Sequence, residues 1–396
     1  MATVGQPTLV LQGTEVPNVS VDPESFFKFT RRLRFPMRGV TNISGLGSGD
    51  SVPLRATGVV SKLWVRVTGT VTFGGTITGT STSWMWPYDL VRAFRVSANG
   101  QANLINIPGS LAKVVNVVMN PAYIDAAVPH TVGGSTGVTL GTMSLPAEDW
   151  GTSSSNQMGP GATVPATGTY TVDLTYEIPI AFDDKTLVGS IFAQTNATQL
   201  TLDIDWETQA NLLTLGGSAT FSQALQYAVL GEVFSIPQVG GRFVVPDLSA
   251  FHSLIAFRTS GLAQGDNEIL LPGTGVGRQL MRLIGQILTG TAPGQPLPVT
   301  AANFGQLAWR YGGNDTPEFV PSANQLRYVN EVDYTVDMAR YWGAFIWDFA
   351  STWAFRDSVD EGATTDLRAV INLVNAPTNG VARIVQETLF AAPVGA

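Results

Sequence analysis

The sequence contains no cysteine and little charge. Its 396 residues include no cysteine, two histidines and 13% charged residues, which is about half of the ~25% usual for soluble domains. The lack of cysteine excludes disulfides, thiolate metal sites and a thiol nucleophile. A surface with so few charges coats an isolated monomer poorly, so we expect a subunit whose faces mostly contact other subunits. A β-rich monomer with a Thr, Ser and Gln surface is the alternative.

Long hydrophobic runs and a basic leader are also missing. No window approaches ~18 uninterrupted apolar residues, so we expect no membrane-spanning helix. The opening MATVGQPTLVLQGTEV lacks the basic region and apolar core of a signal peptide, so we expect no classical secretion. The formal net charge of −8 argues against direct nucleic-acid binding by the molecule as a whole.

What the sequence does contain is typical of β-sheets joined by tight turns. It has 42 Gly, 23 Pro and a hydrophobic share of 44%, which favours strands and turns over long helices. Apolar and polar residues alternate over 170–180 and over 200–206, and residues 59–73 carry apolar side chains on one face. A period of two is typical of half-buried strands, so we predict an all-β protein.

Between two of these stretches the apolar spacing changes from two to that of a helix. Asp183 and Asp184 are followed by four apolar residues at helical spacing, which are Leu187, Val188, Ile191 and Phe192. We therefore predict a short helix here. Its first N–H groups would be capped by Asp183 or Asp184, and a carboxylate also favours the helix dipole.

The chain is long enough for two domains with separate cores. We predict an N-terminal arm over 1–25, outside any core, then one sandwich over 26–237 and a second over 238–396, with the linker at IPQVGG (236–241). Each half contains one segment of helical character, 111–124 and 322–342. Residues 366–390 look like a closing β-hairpin. Residues 130–169 are rich in Gly, Ser, Thr and Pro and indicate a long loop.

The segment FFKFTRRLRFPMR mixes cations with aromatic rings and has no acid between Glu24 and Asp50. Cations that sit beside phenylalanine suit a surface of anionic headgroups, with the rings at the acyl boundary. The candidate membrane-facing residues are Phe26, Phe27, Lys28, Phe29, Arg31, Arg32 and Arg34. The alternative is a first strand with Arg32 and Arg34 outward and Leu33 and Phe35 inward.

Candidate catalytic motifs are weak, and we predict neither an enzyme nor a cofactor. GGSTG at 133–137 and GTGVGR at 273–278 lack the strand and helix contexts that a nucleophile elbow or a phosphate loop needs. Asp203, Asp205 and Glu207 share one strand face, which would suit glycoside hydrolysis or a structural cation near Asp203 and Asp205. A wet sheet face explains them as well. The nine tryptophans favour a core or a subunit interface over a carbohydrate-stacking ridge.

Several of these patterns together resemble the double jelly-roll major capsid proteins of tectivirus-like phages, in the lineage shared with adenovirus hexons. The residues that carry the resemblance are WPYDLVRAFRV (86–96), then Ile178-Pro179-Ile180-Ala181, Asp183-Asp184, Leu187-Val188-Gly189 and the strand from Leu200 to Trp206, with FVVPDLSAFHSLIAF (243–257) in the second half. The resemblance extends over about half of the chain. The segment 1–22 does not look like the amphipathic helix with which family members often begin.

The resemblance implies two tandem eight-stranded jelly-roll barrels with short helical insertions. It implies a structural capsid subunit that forms homotrimeric, pseudo-hexagonal capsomers of an icosahedral shell around an internal membrane. Expected partners are further copies of the chain, minor capsid and vertex proteins, and anionic lipid, and the expected location is the virion capsid, assembled in the host cytoplasm. The predicted helix at 183–192 would then close the open end of a barrel where the chain crosses between sheets. A trimeric host-recognition or tail-fibre module, and a carbohydrate-binding or carbohydrate-cleaving β-sandwich, are the alternative functions.

Overall fold

The computed structural model describes most of the chain. The described residues are 8–119, 164, 167–194, 199–271, 277–291, 294–311, 318–320, 322–334, 343–350, 358–360 and 367–391, together with short strand pairs at 130–131, 139–140, 152–153 and 156–157. Most of the predicted loop 130–169, the GGSTG motif and most of the GTGVGR motif lie outside them. Among the helices of the described part, none is long and apolar enough to cross a membrane.

The chain begins with three short strands and a helix, and continues into the elements of the first barrel. The opening elements are β1 (Thr8–Leu11), β2 (Thr14–Pro17), β3 (Val19–Val21) and α1 (Pro23–Phe29). The first barrel then contains β4 (Arg32–Asn42), β5 (Gly49–Pro53), β6 (Val59–Gly74), β7 (Ser81–Thr82), a 3₁₀ turn (Tyr88–Leu90), β8 (Val91–Ala98), β9 (Gln101–Ile107) and α2 (Gly109–Met119). Four two-residue strands follow: β10 (His130–Thr131), β11 (Thr139–Leu140), β12 (Thr152–Ser153) and β13 (Asn156–Gln157).

The chain then completes the first barrel and builds the second. The first barrel ends with β14 (Gly168–Pro179), β15 (Ile191–Phe192), β16 (Leu200–Trp206), α3 (Gln209–Leu212), β17 (Leu213–Thr214) and β18 (Thr220–Phe234), and β19 (Gln238–Val239) and β20 (Arg242–Val245) connect the barrels. The second contains β21 (Ala250–Leu262), β22 (Gly265–Leu270), β23 (Arg278–Thr289), β24 (Gln295–Pro296), β25 (Phe304–Tyr311), β26 (Glu318–Val320), α4 (Ala323–Tyr334), β27 (Phe345–Asp348), β28 (Val359–Asp360), β29 (Leu367–Leu373) and β30 (Gly380–Ala391).

One ten-stranded sheet runs through both barrels. Its main path has the order β24-β23-β30-β21-β9-β8-β16-β5. The two halves meet at a parallel contact in which Leu254 and Ile255 pair with Ile105 and Asn106. The half from β9 to β5 faces the sheet β14-β6-β18-β4 and forms the first barrel, whereas the half from β24 to β21 faces the sheet β22-β29-β25-β26 and forms the second. The all-β prediction of two tandem sandwiches is confirmed.

The alternating stretches of the sequence form strands as predicted. Residues 59–73 lie in β6. The whole length of β14 pairs with this strand, from Gly168 opposite Phe73 to Pro179 opposite Lys62. Along β14, buried residues alternate with more exposed ones, because one side faces the core and the other faces solvent. The two helical segments are also confirmed, as α2 and α4.

The predicted C-terminal hairpin is wrong. β29 pairs with β22 and β25, whereas β30 pairs with β21 and β23 in the other sheet of the same barrel. The turn at 374–379 therefore carries the chain across the end of the barrel. The sequence pattern is misleading here because β30 is buried on both faces, so its side chains do not indicate which sheet it joins.

The prediction of an N-terminal arm outside any core is wrong for the described residues 8–21. Leu11, Val16 and Val19 are buried in a cluster with Phe26 of α1 and Val245 of β20. β3 pairs in parallel with β20, which ties the opening segment to the connection between the barrels. The apolar residues of this short, Pro-containing segment are therefore part of a core cluster, which its mostly polar composition did not indicate.

Candidate assembly surfaces

Helix α1 presents part of the basic and aromatic segment to solvent. Asp22 caps it, since its Oδ1 atom accepts a hydrogen bond from the Ser25 N–H at 3.1 Å, and Pro23 occupies its first turn. These are standard N-terminal helix signals that our sequence analysis missed. Phe26 is fully buried, whereas Phe27 and Phe29 are exposed, Phe29 by 52%. The Lys28 ammonium lies 5.4 Å from the centre of the Phe29 ring.

Arg32 and Arg34 bind a buried carboxylate of the neighbouring strand. The Glu232 carboxylate lies 3.0 Å from Arg34 Nε and 3.8 Å from Arg32 Nε, and the Arg34 guanidinium stacks 5.1 Å from the Trp64 ring. Both arginines point outward from β4, as the strand alternative required. Leu33, however, is exposed although its register partner Val233 is buried, because β4 is the edge strand of its sheet. The surface formed by Phe27, Lys28, Phe29, Arg31 and Leu33 is called the α1 surface below.

The predicted helix at 183–192 is wrong. Residues 181–190 form turns, and Ile191–Phe192 form the short strand β15 against Val59 and Val60. The Asp183 carboxylate does cap, but it caps a turn, accepting the N–H groups of Lys185 at 3.1 Å and Thr186 at 3.0 Å. Leu187 and Gly189 have φ values of +60° and +82°, and a right-handed helix cannot continue through such residues.

The four apolar residues of that segment bury in three directions instead of forming one face. Leu187 and Phe192 join the cluster that contains the N-terminal strands, Ile191 joins the first barrel's core, and Val188 packs with Phe182. The segment does join opposite sheets, since β14 and β16 belong to different sheets. It is therefore a crossing between sheets, as expected, but it is built from turns. Whether these residues seal the barrel stays a prediction.

Position 189 of this crossing segment has no room for a side chain. Gly189 forms an isolated bridge with Phe251 of the second barrel. A Cβ atom at position 189 would lie 2.5 Å from the Cβ of His252, and the backbone has a positive φ, a conformation that suits glycine. The Leu187-Val188-Gly189 motif is thus a close contact between the barrels, in addition to a turn.

Buried charges join the two barrels beside this contact. Glu387 on β30 lies 2.6 Å from Arg282 Nε and 3.0 Å from His252 Nε2, and all three side chains are buried. Burial alone would raise the pKa of Glu387, but Arg282 and His252 together hold the pKa below its usual range. The Arg282 guanidinium stacks 5.3 Å from the Phe182 ring of the 181–190 turns. This cluster therefore fastens the second barrel to the crossing segment of the first.

The acidic strand face does not gather into a catalytic or metal site. The Asp205 carboxylate lies 2.7 Å from Arg95 and 3.3 Å from Arg92, so an arginine faces each of its two oxygens. Within the described ranges, no group of three or more His, Cys, Asp or Glu side chains is arranged to hold a metal ion. Glu207 lies beyond the end of β16 and accepts hydrogen bonds from Asn211 and from the backbone of Thr208.

The described tryptophans do not form an exposed ridge. Trp86, Trp206 and Trp309 are buried, and Trp64, Trp84 and Trp347 are partly buried. Trp342, Trp353 and Phe355 lie outside the described residues. The expected role of the described rings in cores or contacts is consistent with this burial, whereas stacking on a carbohydrate requires an open ring face.

Helix α4 exposes apolar side chains on one face. Its inner face buries Leu326 and Asn330, and the Asn330 amide exchanges two hydrogen bonds with the backbone of Ile346. The opposite face exposes Tyr328 by 68% and Val332 by 60%, with Val329 between them. This outer face is the second exposed apolar surface that we consider for contacts with other subunits.

Comparison with solved structures identifies the fold. The crystal structure of the STIV MCP aligns with 92% of this chain and 98% of its own, with a TM-score of 0.62 and 15% sequence identity. A chain from the atomic structure of Sulfolobus Turreted Icosahedral Virus aligns with 92% of this chain and 91% of its own, with a TM-score of 0.61 and 15% identity. The Faustovirus major capsid protein aligns with 92% and 90%, with a TM-score of 0.57 and 10% identity.

These similarities confirm the double jelly-roll fold over nearly the whole chain. No family model matches the sequence, and no curated protein matches it. At 10–15% identity what is shared is the arrangement of strands, and individual residues cannot be transferred. The structures named here are those of viral proteins.

Proposed function

We propose that this chain is a major capsid protein, the structural subunit of an icosahedral virus shell. The observation that carries the proposal is the double jelly-roll fold, which aligns over 92% of the chain with a protein named as a major capsid protein. One continuous sheet joins the two barrels. Asp205 pairs with two arginines, and Glu207 binds Asn211 and the backbone. Trp86, Trp206 and Trp309 are buried, and we infer that the protein is not an enzyme.

We infer further that three copies form a pseudo-hexagonal capsomer. Three two-barrel chains around a threefold axis present six similar barrels, which gives the tile an approximately hexagonal outline. The low charged share and the exposed apolar face of α4 support contacts between copies, because exposed apolar surface is typical of interaction sites. Neighbouring capsomers and minor capsid and vertex proteins are the other expected partners, and assembly in the host cytoplasm is the expected route into the virion.

Electron microscopy of the purified full chain tests this proposal. We expect trimers of hexagonal outline that associate into sheets or closed shells as the concentration rises. Monomers alone at high concentration would contradict the capsid function. Trimers that never form shells or flat hexagonal arrays would favour the host-recognition module instead.

We propose that the α1 surface faces an internal membrane and that tectivirus-like phages are the group to which the virus belongs. Two exposed phenylalanines beside Lys28 and Arg31 support this function, since apolar rings enter the acyl boundary while cations attract anionic headgroups. Arg32 and Arg34 already bind Glu232, so their charge is partly compensated. Lys28 and Arg31 form no ion pair within the described part of the chain, and we expect them to contribute most of the attraction.

Binding to liposomes tests the α1 surface. Each Lys or Arg near an anionic membrane contributes about 1 kcal/mol, so Arg31→Glu should weaken binding to phosphatidylserine-containing vesicles at least about fivefold. The matched control is Arg258→Glu, which makes the same charge change in the second barrel, away from α1. Phe27→Ser with Phe29→Ser should also weaken binding, whereas Val40→Ser, at a more exposed apolar residue on β4, should not.

The comparison between variants decides the outcome of the liposome test. If Arg31→Glu and Arg258→Glu weaken binding equally, the attraction depends on net charge, and the α1 surface is not the membrane-facing one. Capsomer formation is a separate proposal, because it is argued from the fold and from the outer face of α4 rather than from α1. Intact trimers that fail to bind vesicles would therefore refute only the membrane-facing function.

A further inference from the structure

A cleft of about 680 Å³ lies between the two barrels. The first barrel contributes Asp89, Arg92 and Ser110 to its wall, and the second contributes Arg258 and Arg383. A space of this size is within the range typical of small-molecule sites. We call it the inter-barrel cleft.

The inter-barrel cleft lies at the end of the molecule away from α1. Strand β21 starts beside Gly189, in the crossing segment that packs with α1 through Leu187 and Phe26. The strand then runs away from that end, and the cleft is lined by its later residues, 256–261. The cleft and the α1 surface are therefore separate features of the protein.

Two arginines face each other across neighbouring strands in this cleft. Arg258 on β21 is the register partner of Arg383 on β30. Neither forms an ion pair in the described residues, and the contact of Arg383 Nη1 that the structure shows is with the Met85 sulfur at 3.9 Å. Burial lowers the pKa of Arg383, and the neighbouring Arg258 lowers it further. Like charges directly opposite each other destabilise a sheet. An anion bound between the two arginines would relieve this repulsion.

The opposite wall of the cleft has buried polar atoms without partners. Ser110, only 1% exposed, has an Oγ atom with no hydrogen-bond partner in the described part of the chain, and the same holds for the Oδ1 atom of the buried Asp89. Ser110 is the second residue of α2, where the first N–H groups have no acceptor inside the helix. A buried hydroxyl and a helix N-terminus that line the same cleft as two arginines are suited to one negatively charged group.

Among the described residues, the acidic ones near the cleft do not form ion pairs with Arg258 or Arg383. Arg92 lies 3.3 Å from Asp205, a carboxylate that it shares with Arg95, and 51% of its side chain is exposed to water. Glu207 binds the backbone of Thr208 and the Asn211 amide. Asp89 and Glu207 attract Arg383 from a distance, but neither lies within ion-pair distance of it.

We propose that the inter-barrel cleft binds a small molecule through a phosphate-type oxyanion held between Arg258 and Arg383, with Ser110 as a hydrogen-bond donor. The planar guanidinium groups can each donate two parallel hydrogen bonds to such a group. The remaining volume accommodates an organic substituent, so the ligand is either inorganic phosphate or a phosphate monoester. The site is independent of the proposed capsid function, since it involves neither α1 nor the outer face of α4.

Isothermal titration calorimetry on the full chain tests the site. The probes are inorganic phosphate and glycerol 1-phosphate at pH 7.5, with the ionic strength held constant by chloride. We expect saturable binding of at least one probe, and at least about tenfold weaker binding by Arg383→Gln and Arg258→Gln, since each loses a charge-assisted hydrogen bond. Tighter binding of the monoester identifies an organic ligand, and tighter binding of phosphate identifies the free anion. The control is Arg242→Gln, an exposed arginine on β20.

Thermal unfolding without any phosphate provides a second readout. If the arginine pair awaits a ligand, Arg383→Gln should unfold at the same or a higher temperature than the wild type, because it removes repulsion from Arg258. A lower unfolding temperature would show that Arg383 is a structural residue and would overturn the proposal. The absence of saturable binding of both probes, or equal binding by Arg242→Gln and Arg383→Gln, would also overturn it.

Discussion

The two barrels use their helices in opposite ways. In the first barrel α2 is buried, with Leu111, Val114 and Val118 all inside the largest core cluster. In the second barrel α4 buries only one face, and Tyr328 and Val332 remain exposed. The core cluster that contains α2 also includes residues of the second barrel, such as Phe251 and Ile346. Helix α2 is therefore packed into the core that the two barrels share, whereas α4 contributes Tyr334 to that core and leaves apolar surface available for other molecules.

The same contrast holds for two buried acids near the junction of the barrels. Asp89 is buried at the inter-barrel cleft, and this burial raises its pKa to about 7 despite the attraction of Arg383. Glu387 is equally buried, but Arg282 and His252 hold its pKa below the usual value. One acid therefore lacks a close cationic partner and the other has two. Their contributions to stability should change with pH in opposite directions.

Loss of the Glu387 carboxylate should have the largest effect on stability. Glu387→Met leaves Arg282 buried without the partner at 2.6 Å, and breaking a buried pair in this way costs about 3–5 kcal/mol. Urea unfolding measures the loss. The matched comparison is Glu232→Met, whose arginine partners are largely exposed and can return to water. We expect this variant to lose much less stability.

A second pair of variants distinguishes a broken pair from a packing defect at Glu387. Replacing both partners, as Arg282→Met with Glu387→Met, should recover part of the lost stability, because Arg282 then no longer stays buried without Glu387. The recovery should be incomplete, since Asp348, which lies 4.0 Å from Arg282 Nε, also loses its cationic partner. Equal losses for Glu387→Met and Glu232→Met would show that the junction cluster is no more important than a surface pair.

Truncation within α2 should have the next largest effect. Leu111→Ala removes a fully buried side chain, and such a change costs about 2–5 kcal/mol. Leu326→Ala, on the inner face of α4, should cost a similar amount, since Leu326 is also buried. The urea midpoints of the two variants test this. A negligible effect of Leu111→Ala would contradict the view that α2 is an integral part of the core.

Strands could be predicted from the sequence where one of their faces is exposed to solvent and the other is buried. β6, β14 and β16 each show alternation, because one side faces the core and the other faces solvent or charged neighbours. β30 is buried on both faces, and its sequence therefore does not show that it leaves the sheet of β29. The helix predicted at 183–192 failed because Leu187, Val188 and Ile191 are spaced like a helix face but pack against different partners.

The two candidate sites also differ in how far the sequence alone could predict them. The α1 surface follows from adjacent residues, and the order Asp22-Pro23 signals the start of its helix, so this site was within reach of sequence analysis. The inter-barrel cleft combines Ser110 with Arg258 and Arg383, which are far apart along the chain. Only the pairing of β9 with β21 and of β21 with β30 brings them together.

The pH dependence of Asp89 should be smaller and of the opposite sign to that of Glu387. A raised carboxyl pKa means that the folded protein holds the proton longer than the unfolded chain, so this group reduces stability as pH rises from about 4 to about 7. Asp89→Asn should therefore gain about 1–2 kcal/mol at pH 8, since the lost attraction to Arg383 offsets part of the benefit. Arg92, Arg258, Arg383 and Glu207 are the other charged residues that line this cleft.

Urea unfolding at pH 8 and at pH 4 tests the Asp89 prediction. The difference between Asp89→Asn and the wild type should shrink towards pH 4, where the wild-type carboxyl is protonated in the folded state. Glu387, with its lowered pKa, contributes stability above the pKa of the unfolded chain, which is lost as pH falls below it. A constant gain for Asp89→Asn at both pH values would mean that ionisation is not its cause.

The smallest effect on folding should come from the outer face of α4, where the contrast with α2 is most direct. Tyr328→Ser with Val332→Ser changes two side chains that contact little of their own chain, so the free energy of unfolding should stay within about 1 kcal/mol of the wild type. If this face lies between subunits, the same variant should shift trimers towards monomers in sedimentation velocity. Val374→Ser, an exposed apolar change outside α4, serves as the control. A double variant that folds normally and still forms trimers as the control does would show that the exposed face of α4 is not a contact between subunits of the trimer.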